Sequence, residues 1–140
     1  AFGHPDLMRG LRTVKDSYNV NRVTQVAGIA ALSDLAWMQD NVRRIRGTRE
    51  ALSRRLAGLG YLVLPSATNF VLARRPGVDQ GPVQAALARR GIFVRHFATP
   101  DLRDALRITV GTDDEIEALL AALAVVTSAG EGRAEGKGER

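Results

Sequence analysis

The chain has no cysteine, so disulfides and thiolate metal sites are excluded and the redox compartment is left open. No apolar run approaches the roughly 20 residues that a membrane helix needs, so no membrane span is expected. The opening residues Ala1-Phe2-Gly3-His4-Pro5 have neither the charged nor the apolar region of a secretory signal, which makes the cytoplasm the expected location. No G-x-G-x-x-G or Walker loop is present. His4 and His96 have no ligand partner at metal-binding spacing, and Ser66, Thr68 and the other hydroxyls have no histidine at a triad spacing. Lysine is almost missing too: only Lys15 and Lys137 occur.

Arginine takes lysine's place, and with it the net charge reaches +5. Arg43, Arg44, Arg46, Arg49, Arg54 and Arg55 are spread around one helical stretch rather than along one stripe. Aromatic residues are only 5% and do not interleave with them, so the charge reads as a solvated helix surface and not as a nucleic-acid footprint. At 140 residues and 45% hydrophobic, the chain is long enough to bury a core of its own.

Residues 1–3 read like the tail of a strand. Pro5 and Asp6 suit the start of a helix over 5–14. Residues 16–21 form a polar loop, and 23–32 a helix in which Ala27, Gly28, Ala30 and Ala31 permit close packing. Ser33-Asp34 looks like the cap of a long helix over 35–59. There Leu35, Met38, Val42, Ile45, Leu52, Leu56 and Leu59 recur at helical spacing, with Arg49 filling the missing place as a snorkelling side chain. Gly58 and Gly60 end it. Strands are expected at 61–64, 69–73, 92–95 and 106–110, a helix at 79–90, and a last helix to about residue 127. Residues 128–140 hold glycine and charge and are expected to be a disordered tail. The order predicts an α+β architecture: a small sheet with helices on one face. The apolar faces before Ser33 have nothing obvious to cover them, so exposure and aggregation are expected.

The chemistry concentrates in Leu106-Arg107-Ile108-Thr109-Val110-Gly111-Thr112. Alternation puts Leu106, Ile108 and Val110 on one face and Arg107 on the other with Thr109. Thr112-Asp113-Asp114-Glu115 has the S/T-x-x-E form of a capping box. In the preceding strand Phe93 and Arg95 share a face. If the two strands are neighbours, two guanidiniums converge on one carboxylate or phosphate, which their planar forks suit. Also open is internal pairing of each arginine with an acid such as Asp101 or Asp104.

Taken together, Leu106 to Thr112 followed by Asp113-Asp114-Glu115-Ile116, Gly91-Ile92-Phe93-Val94-Arg95, Thr68-Asn69-Phe70-Val71-Leu72, Tyr18-Asn19-Val20-Asn21 and Gly3-His4-Pro5-Asp6-Leu7 resemble the histidinol-phosphate aminotransferases. The resemblance implies a fold type I, pyridoxal-phosphate-dependent class I/II aminotransferase that works as a homodimer. Residues 1–33 would then be the remnant of a large domain and an interdomain helix. Residues 34–127 would be the small C-terminal domain of the aspartate-aminotransferase fold. The implied reaction is histidinol-phosphate:2-oxoglutarate transamination in histidine biosynthesis, an amino group passing between glutamate and the phosphate-bearing amine. The arginine matching Arg107 grips the substrate's anionic group, and the one matching Arg95 assists with a phosphate. Tyr18, Asn19 and Asn21 would lie near the dimer interface, and Thr109 and Asn69 at most behind the contacts. The Schiff-base lysine of the family falls in a Ser-Lys motif upstream of the residue matching Ala1. No catalytic or cofactor-binding residue is therefore assigned here, and this chain, as the C-terminal part of such an enzyme, is expected to be inactive alone. Rival readings are an aromatic-amino-acid aminotransferase or a phosphate-amine decarboxylase of the same fold. From a different class comes a non-catalytic interaction module working through the helix at 35–59.

Overall fold

Three helices open the chain, each with an identifiable start. Pro5 and Asp6 begin α1 (Pro5–Val14), and His4 caps it, its Nδ1 accepting from the Asp6 amide at 3.4 Å. Asn21 caps α2 (Arg22–Ser33) through Oδ1, which accepts from the Thr24 amide at 2.8 Å. Asp34 does the same for α3 (Leu35–Gly58), accepting from the Trp37 amide at 3.1 Å. This structure is a computed structural model that describes residues 2–17 and 19–134. The chain divides into two compact units, Ala1–Asp40 and Asn41–Arg140. The division falls inside α3, later than the boundary after Ser33 that the cap suggested.

In the first unit no residue of α1 or α2 is buried. Val14, Val23 and Leu32 are each 75% exposed or more, as their uncovered apolar faces foretold. Phe2 and Gly3 belong to no strand, since nothing pairs with them; Ala1 lies outside the described residues.

The second unit begins at Asn41, inside α3, and there the helix commits Leu52 and Leu56 to the core, so that face is not free for docking. Arg49 reaches out of the helix and its Nη1 donates to the Thr68 carbonyl at 2.6 Å. Gly60, at φ 81°, lets the chain turn out of the helix while the Tyr61 amide still donates to Leu56 O. Then follow β1 (Leu62–Val63), β2 (Phe70–Arg74), α4 (Gly81–Ala88), β3 (Arg95–His96), β4 (Ala105–Thr109) and α5 (Asp113–Ala134). The strands make one four-stranded antiparallel sheet in the order β1-β2-β4-β3. Val71, Ala73, Leu106 and Ile108 face inward and join Leu52, Leu56, Leu87, Ile116, Leu119, Leu120 and Leu123 in one apolar cluster. The helical contributions to that cluster come from α3, α4 and α5, and Arg107 and Thr109 on the opposite face of β4 are exposed.

Three expected spans change. Residues 92–94 are not strand, because the chain is still closing α4: Gly91 sits at φ 76° and the Ile92 amide donates back to Leu87 O. The helix at 79–90 is shorter because Asp79 turns its carboxylate onto the Gly81 amide at 2.8 Å, starting α4 only at Gly81. The last helix runs past residue 127 to Ala134, so residues 128–134 are helical rather than a disordered tail. Thr127 and Ser128 satisfy their hydroxyls on the carbonyls of Leu123 and Val125. No proline interrupts, and Gly130 and Gly132 cost only about 1 kcal/mol each in a helix. The remainder of that tail, 135–140, lies outside the described residues.

Candidate functional site

β4 is the strand that carries the chemistry, and its alternation is as the residues demand. Leu106 and Ile108 are fully buried, while Arg107 and Thr109 are exposed on the solvent face. In the register, Arg107 has Leu72 of β2 on one side and Arg95 of β3 on the other. Direct cross-strand partners share a face, so the two guanidiniums project from adjacent strands on the same side of the sheet. Two like charges placed opposite one another destabilise a sheet, which makes the pairing costly unless an anion joins it.

The acids that might have neutralised them do not pair with them. Asp104 takes a fork from Arg74, at 3.0 Å to Nε and 2.9 Å to Nη2, and Asp101 offers only its backbone carbonyl to the same arginine. Asp79 receives the Gly81 amide first, then Arg103 at 3.0 Å and His96, and these contacts hold its carboxyl below the ordinary range. Glu117 is gripped by Arg55 through both oxygens. Among the described residues no carboxylate forms an ion pair with Arg95 or Arg107.

Each of the two arginines instead lies over an aromatic ring. The Arg107 Cζ is 4.4 Å from the centroid of Phe70, and the Arg95 Cζ is 5.4 Å from that of Phe97. Sequence reasoning missed both rings. Phe97 stands two residues after Arg95, a same-face spacing that was visible; Phe70 becomes a neighbour only through the β2–β4 register.

Just beyond β4 the capping box forms as its motif requires. The Thr112 amide donates to Glu115 Oε2 at 2.8 Å, and the Glu115 amide returns to Thr112 Oγ1 at 3.4 Å. The backbone bond from Thr112, reinforced by its hydroxyl, holds the Glu115 carboxyl below its usual value. That glutamate occupies the start of α5, so the helix end is already satisfied. Neither arginine lines the groove of about 480 Å³ between Ile92, Phe93, Val94 and α5.

The other expected positions have local duties. Asn69 O accepts from the Val110 amide at 2.8 Å, tying β2 to the end of β4. Asn19 Oδ1 accepts from Lys15 Nζ at 3.1 Å, and Asn21 is the α2 cap. Tyr18 lies outside the described residues. Asn19 and Asn21 belong to the first unit, Arg95 and Arg107 to the second. Lys15 is exposed, with its ammonium also on Asp16 O at 2.8 Å, and Lys137 lies outside the described residues. Imine chemistry with an aldehyde cofactor wants a desolvated amine of lowered pKa. The donor set described here does not fit that role.

Residues 1–123 match the family model for aminotransferase class I and II. The chain belongs to the class I and II aminotransferases. Within that family it is 46% identical over 129 residues to the histidinol-phosphate aminotransferase of Gluconacetobacter diazotrophicus, covering 90% of this chain and 36% of that one. It is 48% identical over 126 residues to the enzyme of the same name from Aromatoleum aromaticum, covering 88% and 35%. This aminotransferase chain thus spans about a third of the length of the curated relatives it matches. Among solved structures, histidinol-phosphate aminotransferase from Sinorhizobium meliloti, in complex with pyridoxal-5'-phosphate, superposes with a TM-score of 0.78. The match has 29% identity and covers 89% of this chain and 35% of that one. The five helices and small antiparallel sheet are therefore those of a fold type I aminotransferase.

Proposed function

We propose that this chain supplies the anion-gripping face of a pyridoxal-phosphate-dependent aminotransferase that moves an amino group between histidinol phosphate and 2-oxoglutarate, in histidine biosynthesis. One observation carries the reading: Arg95 and Arg107 are cross-strand partners on an exposed sheet face, and among the described residues no acid pairs with either. Arg107 clasps a carboxylate or phosphate through two parallel N–H bonds, and Arg95 brings a second fork when the anion carries two charges. Held at its charged end, the substrate presents its reacting carbon at a fixed place, which is a positioning contribution to rate. Pyridoxal phosphate, when bound, supplies the electron sink. No residue of this chain supplies its imine: Lys15 and Lys137 are not suited to it, and the chain by itself does not transaminate. In this reading the sheet and its helices act as the small C-terminal domain of the aspartate-aminotransferase fold, in a cytoplasmic homodimer. Tyr18, Asn19 and Asn21 fall toward the subunit interface. The names of the relatives at 46–48% identity favour histidinol phosphate over other amines.

The test is Arg107→Ala in the complete, cofactor-loaded enzyme. A hydrogen bond to a charged group contributes about 1.5–3 kcal/mol, so KM for histidinol phosphate should rise roughly ten- to hundredfold with the cofactor absorbance intact. An unchanged KM removes Arg107 from this role.

A further inference from the structure

The alternation of β4 explains why Arg107 leaves the sheet on the solvent side, but not what steadies its guanidinium there. An arginine side chain loses considerable rotamer freedom when it is held in one place. No hydrogen bond or carboxylate restrains this one among the described residues. Its contact is the ring of Phe70, 4.4 Å from Cζ to the centroid. Phe70 pairs with Thr109, so it stands diagonally across from Arg107, a separation that aromatic and long side chains span.

We propose that Phe70 is the positioning residue for Arg107: its ring holds the guanidinium by the flat face and leaves the N–H edge free for the anion. The inference rests on the reading that Arg107 receives an anionic substrate, and it adds how the fork stays ordered without being quenched. A carboxylate partner would occupy the fork that the substrate needs. An aromatic face attracts the cation through its quadrupole and takes no donor.

The backbone that carries the ring is well anchored. The Phe70 carbonyl accepts from Ser66 Oγ at 2.6 Å and from Thr68 Oγ1 at 3.2 Å, and its amide donates to Thr68 Oγ1 at 3.3 Å. Arg49 in turn fixes the Thr68 carbonyl, and the neighbouring Asn69 carbonyl holds the Val110 amide. Both strands that carry the stack are thereby locked in register. Across the sheet Arg95 lies directly opposite, and its repulsion would push a loose Arg107 away from the shared ligand. A backing ring opposes that displacement.

The experiment uses the complete enzyme with Phe70→Leu, Phe70→Trp, Arg107→Ala and the double variant F70L/R107A. A cation–π contact at an exposed site predicts that Phe70→Leu raises KM for histidinol phosphate, and Kd for the unreactive dicarboxylate glutarate by calorimetry, about two- to fivefold. The value of kcat should stay within roughly twofold, and Phe70→Trp should restore KM and Kd, indole being the strongest such partner. The effect of Phe70→Leu should vanish when Arg107 is already alanine. Fluorinated phenylalanines at position 70 keep the ring's shape while draining its negative face, so Kd should climb stepwise with fluorine number even if Phe70→Leu folds poorly. A flat fluorine series overturns the proposal, as does a Phe70→Leu penalty that persists in the Arg107→Ala background. If Arg107→Ala itself leaves KM and Kd unchanged, the anion-site reading fails first. If it raises them while every Phe70 variant behaves as the parent, only the positioning role falls.

Discussion

Arg95→Glu is a perturbation that should make the chain more stable and less able to bind its ligand. In the register Arg95 faces Arg107, so the substitution replaces a like-charge pair by an opposite-charge pair on an exposed sheet face. Removing the repulsion and adding the attraction each contribute about 0.2–1 kcal/mol, while losing the Arg95 contact over the Phe97 ring takes back about 0.5–1 kcal/mol. For a unit of this size the net gain corresponds to a rise in Tm of up to about 7 °C. Thermal unfolding followed by circular dichroism should show the gain at low salt and lose most of it in 1 M salt, where exposed charges are screened within about 3 Å. Arg95→Ala, which loses the same ring contact and adds no acid, should have a lower Tm than Arg95→Glu. In the complete enzyme Arg95→Glu should raise KM for histidinol phosphate more than Arg95→Ala does, because the new carboxylate occupies the fork of Arg107. A Tm for Arg95→Glu no higher than that of Arg95→Ala, or equal effects of Glu and Ala on KM, would refute the side-by-side arrangement.

The acid limb of stability should depend on the box at the start of α5. The Thr112 amide and hydroxyl hold the Glu115 carboxyl below its ordinary value of 4.5, so the folded state binds that proton less readily than the unfolded chain. Its contribution is full above pH 4.5 and is lost as the pH falls through the lower, folded value. Glu115→Gln should therefore flatten the decline of denaturant midpoint below about pH 5, and an unaltered decline would show that no proton is linked there. Pyridoxal phosphate titrated into this 140-residue chain should give no lysine-imine absorbance. A band abolished by Lys15→Ala would instead place imine chemistry on the exposed end of α1.

How much of this was legible from residues alone depends on whether the cause was local. The capping box and the alternation of Leu106, Arg107 and Ile108 are set by neighbours within one turn or one strand, and both form as read. The site's surroundings depend on register, which is not local. The order β1-β2-β4-β3 sets β4 beside β2, and only that arrangement delivers Asp104 to Arg74 and the Phe70 ring to Arg107. Which arginine Asp104 would pair with could not be read before that register was known. Ile92, Phe93 and Val94 carry strong strand propensity, yet Gly91 and the Ile92 amide are spent on ending α4, and pairing begins only at Arg95. At the other end, glycine and charge after residue 127 suggested disorder, but a helix already nucleated and packed through Leu120 and Leu123 extends over two glycines at modest cost.

The central claim is that Arg95 and Arg107 act on one anion, and a double-mutant cycle on KM for histidinol phosphate addresses it most directly. Arg95→Ala, Arg107→Ala and the double variant, each in the complete enzyme, should give a coupling of about 0.5–3 kcal/mol, the range for groups sharing a partner. Strictly additive losses would mean that the two guanidiniums serve separate ligands, and the shared site would be wrong.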